Sequence, residues 1–213
     1  PTVEIVTFAA AGSTDVYTNF NTKNRLSLNG QVTPTTTVGG SATWFVEGAT
    51  TDVSSLNPKT VYSNIPVTSG TGGFQTFGFL LSGETMLGGS TYTFRLVFQQ
   101  DDSKSATASF QVVTNSPPSS GKLECSPTSG EELSTTFTIT ASLFADVNLP
   151  IKLQYGYLKS GGAITSFQEI QPISSLTRVV TTLPSGFKAS NFYRTLRVFA
   201  YDSFSSSSFR DTI

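Results

Sequence analysis

Apolar residues recur at every second position along this chain, and that period decides what it can fold into. In Thr91–Phe98 the apolar set Tyr92, Phe94, Leu96 and Phe98 alternates with Thr91, Thr93, Arg95 and Val97. Phe137, Ile139 and Ala141 alternate with threonines over Thr136–Ala141, and Ile151, Leu153, Tyr155 and Tyr157 alternate with Lys152, Gln154 and Gly156. Successive side chains leave a strand on opposite sides, so each run reads as a strand with one wet face and one buried face. Weaker versions cover Val3–Phe8, Arg25–Leu28, Ala42–Glu47, Gln75–Leu81, Thr107–Val113, Arg178–Thr182 and Phe192–Tyr201. No window of a dozen residues carries a helical stripe free of Gly, Pro or β-branched runs. Short strands punctuated by Gly, Pro, Asn and Ser turns predict an all-β chain of antiparallel β-sandwiches.

The segment Asn115-Ser116-Pro117-Pro118-Ser119-Ser120-Gly121 interrupts the pattern. Proline has no amide to give to a ladder, and paired prolines favour stiff, extended chain. Two tandem sandwich domains are therefore expected, residues 1–115 and 116–213, joined end to end with limited swivel. Each holds roughly seven strands, the count of an immunoglobulin-like or fibronectin-type-III sandwich. Trp44, the only tryptophan, falls mid-strand where such sandwiches bury an aromatic; the alternative is an exposed ring that stacks on sugar. Tyr92 opens a strong strand five residues after Leu87. That spacing fits a tyrosine corner, in which the phenol bonds backbone across a loop.

Composition excludes more than it suggests. Histidine is absent, which removes the usual general base, the Ser-His and Cys-His nucleophile pairs and every imidazole zinc site. The 14 Asp and Glu are scattered and form no recognisable acid–base motif, so an enzyme is not expected. The 13 Lys and Arg never cluster and the net charge is −1, which disfavours nucleic acid and anionic lipid as partners. No apolar run approaches the roughly 20 residues of a membrane span. Pro1 leads directly into strand-like residues, with no leader pattern, so the sequence reads as a segment of something longer.

Ser and Thr number 62 while charged residues make up 13%, a hydroxyl-rich surface typical of secreted β-proteins and unlike a disordered polyelectrolyte. No Asn-x-Ser/Thr sequon occurs. Any glycans should be O-linked, with Thr35, Thr36 and Thr37, and Ser206 and Ser207, as the candidates. Gly70-Thr71-Gly72-Gly73 precedes a strand and lacks a following lysine, so it reads as a hairpin or crossing and not as a phosphate cradle.

The stretch Asn115–Leu158 carries the most specific signal. Pro117 and Pro118 are followed in register by Gly121, Leu123, Pro127 and Gly130. A strand with Thr135, Phe137 and Ile139 comes next, then an acidic loop with Asp146, Asn148 and Pro150, then Leu153-x-Tyr155. This order resembles the receptor-for-egg-jelly (REJ) module of polycystin-like ectodomains. Upstream, Trp44 and the run Leu87–Phe94 are similar to that family's early Trp strand and its Leu-x-x-Gly-x-Tyr-x-Phe strand. Phe144 stands where the family's acidic loop usually has tryptophan. Members with a disulfide place cysteines at the positions of Leu123 and Ala141, and this chain has neither. The resemblance implies a non-catalytic ectodomain segment of a larger membrane-anchored protein on a cell surface or cilium, serving adhesion, ligand contact or mechanical spacing. Its partners would be other extracellular domains of the same parent chain and a protein or glycan ligand, with no membrane contact by the segment itself.

Asp146, Asn148 and Asp202 are the calcium candidates. Calcium wants six to eight oxygens from several carboxylates, whereas Asp and Asn suit turns simply by bonding nearby backbone; turn chemistry is the expectation, with no cofactor. Cys125 reads as a buried strand hydrophobe, with a reactive or intermolecularly bonded thiol as the alternative. Two further functional readings stay open. One is a structural subunit of an extracellular filament or coat, joined by homotypic contacts. The other is a carbohydrate-binding module that uses exposed aromatics such as Tyr17, Phe204 and Phe209 in loops.

Overall fold

The computed structural model describes residues 1–6, 16–35, 38–50, 52–69, 73–159, 167–186 and 188–213. Thr7, Phe8, Thr36, Thr37, Gly70, Thr71 and Gly72 lie outside them. The described residues are strands, loops and two short 3₁₀ turns, Val53–Leu56 and Lys188–Ser190. They divide into two compact units, Pro1–Ser116 and Pro117–Ile213.

The described residues of the first unit hold eight strands: β1 (Thr2–Val6), β2 (Val16–Phe20), β3 (Leu26–Thr33), β4 (Gly40–Gly48), β5 (Ile65–Val67), β6 (Gln75–Leu81), β7 (Thr91–Gln100) and β8 (Ser105–Thr114). They form two sheets, in the orders β1-β3-β6 and β2-β8-β7-β4-β5. Every pairing is antiparallel except that of β2 with β8, which runs parallel. The alternation read from the sequence sets what faces inward. Tyr92, Phe94, Leu96 and Phe98 from β7 meet Ala42, Trp44 and Val46 from β4, opposite Leu28 and Val32 of β3 and Phe77, Phe79 and Leu81 of β6. The result is a β-sandwich filled by aromatic side chains. The Trp44 and Phe79 ring centroids are 5.4 Å apart, and Phe79 and Phe94 are 5.5 Å apart. Gly30 occupies an inward position of β3, where a Cβ would strike Leu96 and come within 3.1 Å of Trp44 Cζ2. The space its missing side chain leaves is filled by the Leu96 methyl, beside the indole.

The described residues of the second unit hold seven strands: β9 (Lys122–Ser126), β10 (Thr136–Ser142), β11 (Lys152–Leu158), β12 (Phe167–Ser174), β13 (Arg178–Thr182), β14 (Leu196–Tyr201) and β15 (Ser207–Thr212). They form sheets in the orders β13-β10-β9 and β12-β11-β14-β15, all antiparallel. Leu123, Phe137, Ile139 and Ala141 face Leu153, Tyr155, Leu196, Val198 and Ala200 across the core, again a β-sandwich.

Two readings from the sequence are corrected here. A strand was expected from Phe192, but β14 begins only at Leu196, because Asn191 and Phe192 take left-handed backbone angles, φ 51° and 62°. Tyr17 and Phe209, expected in loops, lie within β2 and β15. Strands β2, β5, β9, β12 and β15 also exist where no alternating run announced them.

Candidate functional site

Asp146 and Asn148 lie on the β10–β11 loop, and Asp202 follows β14. The fold brings the two loops together, since the Ser203 amide donates to the Asn148 carbonyl at 3.1 Å. Asp146 and Asp202 each turn one carboxylate oxygen to backbone. Asp146 Oδ1 accepts the Asn148 amide at 2.7 Å. Asp202 is 5% exposed, and its Oδ1 accepts the amides of Phe204 at 2.9 Å and Ser206 at 2.8 Å. Short polar side chains that hold their own turns account for this geometry. Among the described residues no three metal-type side chains gather at one point.

The motif glycines of this unit have a steric cause. A Cβ on Gly121 would meet the Phe144 ring and the Ser142 carbonyl, and one on Gly130 would meet Thr135. Phe144, half-buried, packs against the core that contains Phe137 and Tyr155. The peptide bonds preceding Pro127 and Pro150 are cis; Pro117 is exposed and Pro118 buried. Tyr155 is fully buried, and its hydroxyl donates to the Leu176 carbonyl at 3.1 Å. Burial pushes its phenol up to about 12, against a smaller opposing effect from the Ala141 backbone.

Trp44 is 1% exposed and its indole N–H has no acceptor. A ring so placed cannot stack on a sugar, which removes that alternative. Tyr92 lies in the same core, and its hydroxyl oxygen accepts the Leu87 amide at 2.8 Å, the arrangement of a tyrosine corner. Thr114 completes the latch. Its Oγ1 accepts the Ser90 amide at 2.8 Å and lies 2.7 Å from the Leu87 carbonyl. In immunoglobulin domains the second bridging cysteine stands two residues after this tyrosine; here that place is Phe94.

The glycan candidates fare unevenly. Ser206 is 3% exposed, too enclosed to carry a sugar, which corrects that expectation. Ser207 is half-buried in β15 opposite Tyr201. Thr35 is half-buried with its hydroxyl taken by Gln100 Nε2 at 2.6 Å. Tyr17 belongs to the first unit, whereas Phe204 and Phe209 belong to the second. Phe209 is committed locally: the Arg197 guanidinium lies 4.0 Å from its ring centroid and forms a bidentate pair with Asp211, both contacts 2.7 Å. Cys125 is half-buried against the core, and burial pushes its thiol up.

Sequence reasoning did not find a cleft at one end of the second sandwich. The turn after β9 and residues 183–186 and 191–194, between β13 and β14, enclose about 350 Å³. Cys125, Phe137 and Leu183 line it, together with Glu131, Glu132, Phe192 and Tyr193. The walls are tied together. The Leu133 amide donates to the Leu183 carbonyl at 3.0 Å, Ser185 Oγ donates to Glu132 at 3.0 Å, and the Gly186 amide donates to the Phe192 carbonyl at 3.1 Å. Arg194 donates to the carbonyls of Ser185 and Leu158 and stacks on Tyr157, 4.6 Å from its centroid.

A family model described as REJ domain matches residues 9–212. No curated protein sequence matches the chain. Among solved structures it is similar to murine CEACAM1b, with 14% identity over 92% of this chain and 93% of that one and a TM-score of 0.30. It is also similar to the periplasmic chaperone SfaE, with 11% identity over 98% and 96% and a TM-score of 0.35. The FN1–FN3 domains of chicken CNTN1 match at 9% identity over 92% of this chain and 64% of that one, with a TM-score of 0.34.

Proposed function

Since this chain belongs to the REJ domain family, we propose that it is a non-catalytic extracellular module of a larger surface protein, serving adhesion, ligand contact or mechanical spacing. The observation that carries this reading is the family match across nearly the whole chain. The architecture supports it. Both cores are filled by apolar and aromatic side chains, and the carboxylates of Asp146, in the most family-like loop, and of Asp202, in the loop beside it, hold turns. Polar groups committed to scaffold leave the outer loops and sheet faces as the working surface.

We propose further that the two units are tandem domains of immunoglobulin-like and fibronectin-type-III-like kind, each able to fold alone, with the boundary at Asn115–Pro117. Each would then melt as its own cooperative transition when expressed separately. For function, an antibody raised against the 213-residue chain should stain intact, unpermeabilised cells that express the parent protein. Staining only after permeabilisation would overturn the surface assignment. Regular filaments of the parent protein in electron micrographs would replace it with a coat role.

A further inference from the structure

The cleft at the end of the second sandwich is poorly explained by folding alone. Its floor includes Phe137 and Leu183, core residues 9% and 7% exposed, so the apolar interior opens toward solvent there. At its rim Phe192 and Tyr193 are 59% and 63% exposed. Two adjacent large rings in water forgo the burial that stabilises core rings such as Trp44, Phe79 and Tyr155. They are held out by backbone that is itself unfavourable, since Asn191 and Phe192 are consecutive left-handed residues and phenylalanine is poorly suited to that region. Local bonds keep them there: the Asn191 amide donates to the Lys188 carbonyl and the Tyr193 amide to the Ser190 carbonyl, each at 3.0 Å. The opposite wall is also fixed, with the Glu131 amide on Thr135 Oγ1 at 2.8 Å. The cleft is therefore preformed, and its volume is in the range of ligand sites.

The lining selects the occupant. Its surface is more apolar than polar, which calls for an apolar anchor on the floor. Two carboxylates, Glu131 and Glu132, outnumber the one cation of the lining, Arg194, whose guanidinium is turned to two backbone carbonyls and a ring. The remaining charge is negative, beside two aromatic rings, and that combination attracts an ammonium or guanidinium group. We propose that this cleft binds an extended segment of a partner protein in which an apolar side chain is followed by a basic one. The apolar residue seats on Phe137 and Leu183, and the basic residue lies between Glu131 and the Phe192–Tyr193 rim. Preformed walls lower the ordering cost of such docking.

This deepens the proposed contact role and rests on it, but its test is independent of where the parent protein is displayed. The full 213-residue chain, labelled with nitrogen-15, is titrated with acetyl-Leu-Arg-amide, acetyl-Leu-Gln-amide, acetyl-Gly-Arg-amide and N-acetylglucosamine. The Leu-Arg probe should move the backbone amide signals of Glu131, Glu132, Phe192 and Tyr193, binding at least about tenfold more tightly than either single-feature probe, the ratio worth about 1.4 kcal/mol. Glu131→Gln should bring Leu-Arg down to the Leu-Gln level while the melting temperature stays unchanged. Equal binding of Leu-Arg and Leu-Gln would remove the basic requirement and overturn the proposal. Shifts at these amides with N-acetylglucosamine alone would make the cleft a sugar site, and no shift with any probe would make it a packing gap.

Discussion

Replacing Tyr92 by phenylalanine isolates one hydrogen bond in the first unit. The ring stays, with its packing beside Phe94 at 6.4 Å between centroids, and only the oxygen that accepts the Leu87 amide at 2.8 Å is lost. An amide that loses its acceptor in a partly buried site costs about 1–2 kcal/mol, toward the lower end if water reaches it. For a domain of this size that should lower the melting temperature by about 5–15 °C. Urea unfolding followed by tryptophan fluorescence is the assay, because Trp44 is the only tryptophan and is buried in this unit, so it reports this unit alone. Thr114→Val removes the other half of the latch, whose Oγ1 touches both the Ser90 amide and the Leu87 carbonyl. The double variant should show coupling of about 0.5–1 kcal/mol, since both side chains hold the same turn. A Tyr92→Phe chain within 0.3 kcal/mol of wild type on the urea scale, a difference about the size of ordinary additivity error, would refute the latch.

Four further outcomes follow from the second unit. Tyr155 keeps its proton in the fold up to about pH 12, whereas an unfolded tyrosine ionises near pH 10. The raised value favours the fold below pH 10 and that favour is lost as pH rises to 12, by about 2–3 kcal/mol, so urea midpoints should fall over that window and Tyr155→Phe should flatten the fall. Gly156→Ala should cost about 1–3 kcal/mol through overpacking, measured by denaturation, because a Cβ there meets the Phe167 ring and the Gln168 carbonyl. Asp202→Ala should cost about 1–3 kcal/mol by stripping the acceptor from the Phe204 and Ser206 amides. Calcium at about 1 mM, near the affinities of extracellular calcium modules, should leave the melting temperature of the wild-type chain unchanged.

How legible all this was depends on whether a feature is local. The inward faces of β7, β10 and β11 were readable because one sheet face is dry and the other wet, so burial writes itself into every second residue. Strand β2, VYTNF, has burial on only its last residue, and β5 carries Pro66, so neither shows alternation. Strand β14 is buried from Leu196 through Ala200 on both faces, because Phe209 and Asp211 cover Arg197 on the outer side. That covering depends on cross-strand pairing with β15, which spacing along the chain does not encode. The cleft was invisible for the same reason. It is assembled from the turn after β9 and residues 183–186 and 191–194, and its aromatic rim depends on left-handed residues that carry no glycine to mark them. A pair of exposed aromatics just before a strand, Phe192-Tyr193, was the available clue, and it read as strand.

The parallel pairing of β2 with β8 separates the two units mechanically. In the first unit the early strand β2 and the final strand β8 lie side by side and run the same way, with Val16 opposite Gln111 and Phe20 opposite Thr114, and the Asn115 amide adds a bond to the Phe20 carbonyl at 2.8 Å. Tension at the ends of that unit reaches this pair once β1 has come away from β3, and it then loads β2 against β8 in shear, so their hydrogen bonds share the load. In the second unit the first strand, β9, and the last, β15, belong to different sheets, and among the described residues no parallel pair ties its ends. Under a rising load the second unit should give way first, lengthening the chain while the first unit holds.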